Sequence, residues 1–161
     1  MKRLWAPWRM EYIKKPKEKK CLFCRVIEED NDRENLVLHR SEKTFIILNK
    51  YPYNNGHLMI APYRHTPSPL ELDDEEDLDI AHLIKLCIKI LDKTMNPQGY
   101  NIGANIGKAA GAGIEEHYHI HIVPRWVGDT NYMPIIADTK VIVEHLYQTY
   151  DKLKKALENE L

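Results

Sequence analysis

The sequence predicts a single α+β domain: an antiparallel β-sheet of about five strands, a long central helix and a C-terminal helix. Three observations carry this prediction. The chain has 161 residues, a length that suits one domain with a sizeable core. Its apolar periods run in the order β-β-β-α-β-β-α with short early connections, whereas a doubly wound parallel sheet would alternate strand and helix throughout. No internal repeat and no boundary-like shift in composition interrupts it. Residues 1–161 therefore read as one domain, with residues 1–20 as an N-terminal arm.

The elements follow in chain order. The arm carries Trp5, Trp8 and Tyr12 among prolines and lysines, without helical or strand period, which suits a segment packed on the body or on a second subunit. "CLFCRVIEED" opens a short helix. "NLVLHR" and "TFIILN" are β-rich apolar runs separated by Ser41-Glu42-Lys43, the pattern of a hairpin. "YPYNNG" is turn chemistry, and "HLMIAP" reads as a third strand closed by Pro62. The acidic run "DDEED" suits a helix N-terminus. Behind it Ile80, Ile84, Cys87 and Leu91 keep helical spacing, opposite a polar stripe of His82, Lys85, Lys89 and Asp92. Cys87 is thus expected as an inert core thiol and His82 as a surface residue. "GYNIGANIG" reads as a glycine-interrupted strand, and "KAAGAGIEE" as a flexible loop leading to a last strand rich in histidine. Asp138-Thr139 is expected to cap a final helix through Ile142, Leu146, Tyr150, Leu153 and Leu157.

Composition narrows the function. Hydrophobic residues make up 43% and charged residues 29%, with a formal net charge of -1, so no bulk electrostatic drive toward nucleic acid or membrane is visible. The basic run at residues 14–20 is local, interrupted by Pro16, and simplest as a solvated linker. No apolar run is long enough for a transmembrane helix, and the N-terminus lacks a secretory h-region. Three cysteines, two of them in Cys21-x-x-Cys24, argue against a disulfide framework. A reducing cytoplasm is the expected setting.

"EEHYHIHIVPRW" carries the chemistry. Strand period is two, so His117, His119 and His121 share one face while Tyr118, Ile120 and Ile122 share the other. With the apolar set in the core, three imidazoles line a working face. A lone strand histidine is more often structural or solvated; three in register point elsewhere. Two chemistries fit. The imidazoles bind a metal, or one of them is a nucleophile toward phosphorus that its neighbours orient and neutralise.

The run His117-Tyr118-His119-Ile120-His121-Ile122-Val123 resembles the signature of the histidine triad superfamily, histidines alternating with apolar residues. "LWAPWRMEYI", "YPYNNGHLMIAPYRH", "GYNIGANIG" and "HIVPRWVGDTNYMP" extend the likeness over nearly the whole chain, toward the bacterial branch related to fragile histidine triad hydrolases and diadenosine tetraphosphate phosphorylases. The resemblance implies cleavage or transfer at the α-phosphate of a nucleotide conjugate such as a dinucleoside polyphosphate, and a homodimer. It makes His119 the nucleophile that becomes nucleotidylated, His121 a contact of the α-phosphate, and His57 a fourth histidine beside the triad. Asn49 resembles the residue that holds the ribose hydroxyls; by itself it is an ordinary strand-end asparagine.

Cys21-x-x-Cys24 alone is ambiguous between a redox pair, two packed cysteines and half of a metal site. In the zinc-containing members of the superfamily the remaining ligands correspond to His65 and His117. The resemblance therefore implies one zinc on Cys21, Cys24, His65 and His117, structural because four protein ligands leave no open coordination position. No organic cofactor is expected. The chain also departs from many relatives: the loop Gly111-Ala112-Gly113-Ile114-Glu115-Glu116 has no Ser or Thr to protonate a leaving group. Backbone N–H groups at Gly111 and Gly113, and Lys108, are candidates for phosphate contact, and Trp126 and Tyr132 for base stacking. Tyr118 is excluded because parity turns it to the core. Asp129, Thr130 and Asn131 carry no role that the sequence reveals. Two rivals remain: a phosphohydrolase with all three triad histidines on one catalytic ion, and a zinc-stabilised nucleotide- or RNA-binding module using the basic arm.

Overall fold

The computed structural model describes residues 20–129 and 142–161. The arm with Trp5, Trp8 and Tyr12, and the positions Thr130, Asn131, Tyr132, Asp138 and Thr139, lie outside the described residues.

Five strands form one antiparallel sheet: β1 (Val37–Arg40), β2 (Thr44–Leu48), β3 (Leu58–Pro62), β4 (Gly99–Gly103) and β5 (Ile120–Arg125), in spatial order β1-β2-β3-β5-β4. Among the described residues three α-helices accompany it: α1 (Leu22–Glu28), α2 (Asp74–Met95) and α3 (Leu146–Glu158). This is the expected α+β architecture, including the β1–β2 hairpin. All five residues of β2 and of β3 are buried, because the sheet is covered on both sides. The register fixes which residues share a side. Ile46 faces Ile60, which faces Ile120, and Leu48 faces Leu58, which faces Ile122. These aliphatic side chains therefore occupy one face, and the alternate positions Phe45, Met59, Ala61 and His121 the other.

Helix α2 packs against β2, β3 and β5. Its start is a full capping box: Asp73 accepts from the Glu76 N–H at 2.8 Å, and Glu76 accepts from the Asp73 N–H at 2.9 Å. Asp74, Glu75, Glu76 and Asp77 fill the first turn, where the helix dipole favours negative charge. The inward stripe is Ile80, Leu83, Cys87, Ile90 and Leu91, and His82, Lys85, Lys89 and Asp92 are exposed. Cys87 is fully buried, and burial pushes its thiol pKa up, so it is the inert core thiol expected. Asn96, in the left-handed region at φ 46°, ends the helix.

Three boundaries differ from expectation. α3 begins at Leu146 with His145 as its cap, and Ile142 lies before the helix and is exposed. Tyr150, Leu153 and Leu157 do form its buried stripe. β4 stops at Gly103 rather than running through Gly107, because its ladder to β5 ends at the Gly103–His121 pair. The strand itself begins at Ile120, so His117 and His119 precede the hydrogen-bonded ladder and only His121 lies within it.

Gly56 is the backbone pivot between β2 and β3. It holds φ +76°, and a Cβ there would stand 2.6 Å from Met95 Sδ and 3.1 Å from Leu91 Cδ2. Gly56→Ala combines a left-handed residue with overpacking and should cost about 2–4 kcal/mol in urea denaturation. A change below about 0.5 kcal/mol would show that this turn relaxes freely.

Candidate active site and metal centre

The structure gathers the sequence candidates into two adjoining groups. Cys21, Cys24, His65 and His117 form the first: their donor atoms all lie within 4.8 Å of one another. Asn49, His57, His119 and His121 form the second, linked by hydrogen bonds and ring contacts.

A neutral imidazole has one N–H and one lone pair, so a partner at one nitrogen decides the chemistry of the other. His117 Nε2 is 2.8 Å from the Pro62 carbonyl oxygen, which only accepts. Nε2 therefore carries the proton, and Nδ1 presents its lone pair toward Cys21 Sγ at 3.5 Å and Cys24 Sγ at 3.8 Å. His65 Nδ1 lies 3.2 Å from Cys24 Sγ. A tetrahedral ion with ordinary metal–sulfur and metal–nitrogen bonds needs donor separations of about 3.3–3.8 Å; the three contacts above lie at 3.2–3.8 Å and the whole set within 4.8 Å, close to what one ion requires. The Cys24 thiol is pushed up by burial and then by its neighbour Cys21, a repulsion that a shared cation relieves. The carbonyl behind His117 is the outer partner that metal-binding histidines use to fix their tautomer.

The same logic runs through the second group. His119 Nδ1 donates to the His117 carbonyl at 2.8 Å, so His119 Nε2 holds a lone pair. His57 Nδ1 accepts from the Tyr53 N–H at 3.1 Å and lies 3.3 Å from Asn49 Nδ2, so its proton sits on Nε2. That proton is donated to His121 Nδ1 at 2.9 Å, which leaves His121 with Nε2–H. The pair His119 and His121 thus offers one lone pair and one donor, with ring centroids 4.9 Å apart. Burial keeps these rings neutral. It lowers the His57 pKa to about 3 and, ahead of repulsion from His119, the His121 pKa to about 4; it lowers that of His119 as well.

Parity places the histidines as expected, but the triad face is not open. His117 is 0% and His119 5% exposed, while His121 is half-buried. The cover is Phe23, on α1 between Cys21 and Cys24: its ring centroid lies 5.1 Å from those of both His117 and His119. Sequence reasoning missed Phe23, although its place inside Cys-x-x-Cys was the available signal. It also missed Tyr53, whose ring sits over His57 at 4.6 Å and His121 at 5.6 Å. Tyr118 packs against the core as parity required. Asn49 Oδ1 accepts from the Tyr51 N–H at 2.9 Å. Gly111 and Gly113 are exposed on the loop before the triad, and the Gly111 N–H already donates to the Lys108 carbonyl at 3.0 Å. Trp126 is half-buried. The rival with all triad histidines on one ion is disfavoured by His117, whose Nε2 is taken by the Pro62 carbonyl and whose Nδ1 is turned to Cys21 and Cys24, in a cluster that does not include His119 or His121.

The depressed histidines make stability depend on pH. An unfolded histidine protonates near 6.5 and folded His57 only near 3, so the unfolded state binds more protons between those values. Stability is full above about pH 6.5 and falls as pH drops, by up to about 1.4 kcal/mol per unit for His57 and less for half-buried His121. His57→Gln should flatten the acid slope of urea midpoints. The comparison isolates this contribution from loss of metal ligands, and identical slopes would refute it.

A HIT domain family model matches residues 30–127. The AP-4-A phosphorylase of Mycobacterium tuberculosis is 36% identical over 157 residues, covering 92% of this chain and 80% of that protein. Among solved structures, a hypothetical histidine triad nucleotide-binding protein from Sulfolobus tokodaii superposes with a TM-score of 0.68 at 29% identity, covering 86% of this chain and 93% of that one. A Zn-bound histidine triad family protein from Mycobacterium smegmatis gives 0.71 at 24% identity, covering 88% and 95%. The expected resemblance therefore holds along most of the sequence as well as in the fold, and the chain belongs to the HIT domain family of histidine triad proteins.

Proposed function

We propose that this chain is a nucleotide hydrolase or nucleotidyltransferase that cleaves nucleotide conjugates at the α-phosphate through a nucleotidyl-His119 intermediate. The carrying observation is the bond from His119 Nδ1–H to the His117 carbonyl, which reserves Nε2 as a lone pair. In the first step Nε2 attacks the α-phosphorus. A P–N bond forms as the bond to the leaving phosphate oxygen breaks, and its electron pair leaves on that oxygen. In the second step an acceptor oxygen attacks phosphorus, the P–N bond breaks and its pair returns to Nε2; where the acceptor is water, its proton passes to solvent. Splitting one displacement into two is the gain of covalent catalysis. His121 Nε2–H, oriented by His57, donates to a phosphoryl oxygen whose charge grows in each transition state.

The substrate class follows from the leaving group. The loop Gly111–Glu116 supplies no Ser or Thr proton donor. An amine leaving from phosphorus needs a proton, whereas a polyphosphate departs as a weakly basic anion. Dinucleoside polyphosphates are therefore the favoured substrates, in line with the AP-4-A phosphorylase relative. Water as acceptor makes the enzyme a hydrolase, inorganic phosphate a phosphorylase. Asn49 and Gly113 are proposed substrate neighbours at the ribose and the phosphates, and the enzyme is proposed to work as a cytoplasmic homodimer.

Cys21, Cys24, His65 and His117 would hold zinc, for which a set of two thiolates and two imidazoles is a common closed site. Bound there, zinc supplies a cross-link between the start of α1 and the histidine segment.

Trapping, turnover, metal content and stability test this reading. Rapid quenching with diadenosine tetraphosphate should trap nucleotide on His119, and product analysis with and without phosphate should name the acceptor. His119→Ala should lower turnover by at least about 10²–10⁴-fold while nucleotide still binds; turnover within a few-fold of wild type would end the covalent reading. Metal analysis of protein purified without chelator should return one zinc per chain. Cys21→Ser or His65→Ala should cost about 3–5 kcal/mol, or on the order of 10 °C in Tm, with activity in the cold largely kept. Zinc-free protein of wild-type stability would remove the site.

A further inference from the structure

The turn between β2 and β3 read as turn chemistry alone, and Asp129 carried no role. The structure joins them. Asn54, 7% exposed, donates from Nδ2 to the Pro124 carbonyl at 3.0 Å and to Asp129 Oδ2 at 2.8 Å. Asp129 is held in turn by Arg125, Nε to Oδ2 at 2.6 Å and Nη2 to Oδ1 at 2.9 Å, and by the Trp126 N–H at 3.2 Å.

Pro124 explains why β5 accepts this side chain. β3 pairs with β5 only as far as the Leu58–Ile122 pair, while β4 continues to Arg125. Alternate strand residues present their polar groups to opposite sides. The Arg125 carbonyl accepts from the Gln98 N–H at 2.8 Å, on the β4 side, so the Pro124 carbonyl is directed to the side where β3 has ended. Pro124 has no N–H to satisfy there, and its buried carbonyl needs one donor. Asn54 is that donor.

We propose that Asn54, fixed by Asp129, is a positioning residue that sets the direction of the His57–His121 hydrogen bond. The Asn54 carbonyl accepts from the His57 N–H at 3.2 Å, and the adjacent Tyr53 N–H donates to His57 Nδ1 at 3.1 Å. The tip of the turn is thus tied to β5 by the Asn54 side chain and to His57 by backbone on either side of it. Without the Tyr53 donor, only the Asn49 Nδ2 contact at 3.3 Å still opposes a proton on His57 Nδ1, and the ring can carry its proton there. His57 Nε2 then accepts from His121 Nδ1–H, and His121 Nε2 becomes a lone pair. A donor toward phosphoryl oxygen is replaced by an acceptor that repels it. The bond has two directions, and the latch selects the useful one.

The catalytic consequence rests on the nucleotidyl-His119 reading, but the tautomers do not. Two-bond proton–nitrogen NMR spectra of protein labelled at histidine nitrogen read them directly. Wild type should show Nε2–H for both His57 and His121. Asn54→Asp, which sets a carboxylate against the Pro124 carbonyl and Asp129, should show mixed tautomers at both rings. Its rate of His119 nucleotidylation should fall about tenfold, with KM changed less than about twofold. Asp129→Asn, which keeps shape and loses the ion pair to Arg125, serves should Asn54→Asp not fold, and should show a smaller admixture in the same direction. A wild-type His57 with Nδ1–H would overturn the proposal, and so would pure Nε2–H in every folded variant. Shifted tautomers in a chain that never nucleotidylates His119 would uphold the latch and refute the catalytic reading.

Discussion

The site depends on one property of imidazole: buried and neutral, it has a single donor and a single acceptor, and whichever neighbour claims one nitrogen assigns the other. In this chain the claims are made by backbone. The Pro62 carbonyl assigns His117, the His117 carbonyl assigns His119, and the Tyr53 N–H assigns His57 and through it His121. Three copies of one residue at alternate positions thereby acquire three states: a lone pair on His117 Nδ1 toward two thiols, a lone pair on His119 Nε2, and an N–H on His121 Nε2. No carboxylate takes part in these contacts. Neutrality comes from burial, and burial comes from what lies over the triad.

That cover is α1. A helix of seven residues is too short to persist on its own in water, so Phe23 needs other means of staying over His117 and His119. Its own burial is one, since the ring also packs edge-on against Phe45 of β2 at 6.0 Å. The flanking cysteines are the other: Cys21 and Cys24 approach His117 and His65 from either side of Phe23. The opposite wall is anchored too. Arg64, beside His65, pairs with buried Glu76 of the α2 capping box at 2.9 Å, and the Thr66 carbonyl accepts from the Tyr118 N–H at 2.6 Å. The Cys21 cluster and the proposed nucleophile therefore share one aromatic lid, Phe23.

Much of this was legible in residue order. The hairpin, β3 and the stripe of α2 are strong periodic signals, and the positions of Cys21, Cys24, His65 and His117 were readable once the likeness of the histidine run was noticed. Parity also sorted the faces of β5 correctly. It failed on exposure, because a period says which residues share a face and nothing about what covers it; the covering residue, Phe23, comes from a segment about a hundred positions away in sequence. The start of α3 was misplaced because Ile142 keeps helical spacing with Leu146 by coincidence, while His145 supplies the actual cap. Asn54 read as turn chemistry because its Pro124 and Asp129 partners are long-range. Long-range polar partners leave no periodic trace.

The placement of β5 links these features. Its neighbours cover it unequally: β3 pairs with Ile120–Ile122 and β4 with His121–Arg125. Before His121 the β4 ladder has run out, so His117 and His119 lie beyond that edge, where α1 packs over them. After Ile122 the β3 ladder has run out, so Pro124 has an unclaimed carbonyl that the turn before His57 can reach. Had both neighbours paired along the full length, backbone would have occupied both places. The stagger leaves one end of β5 for the lidded triad and the other for the latch, and His121, paired to Met59 on one side and Gly103 on the other, is the residue where the two ends meet. It is accordingly the histidine that touches both, with its Nδ1 on His57 and its ring against His119.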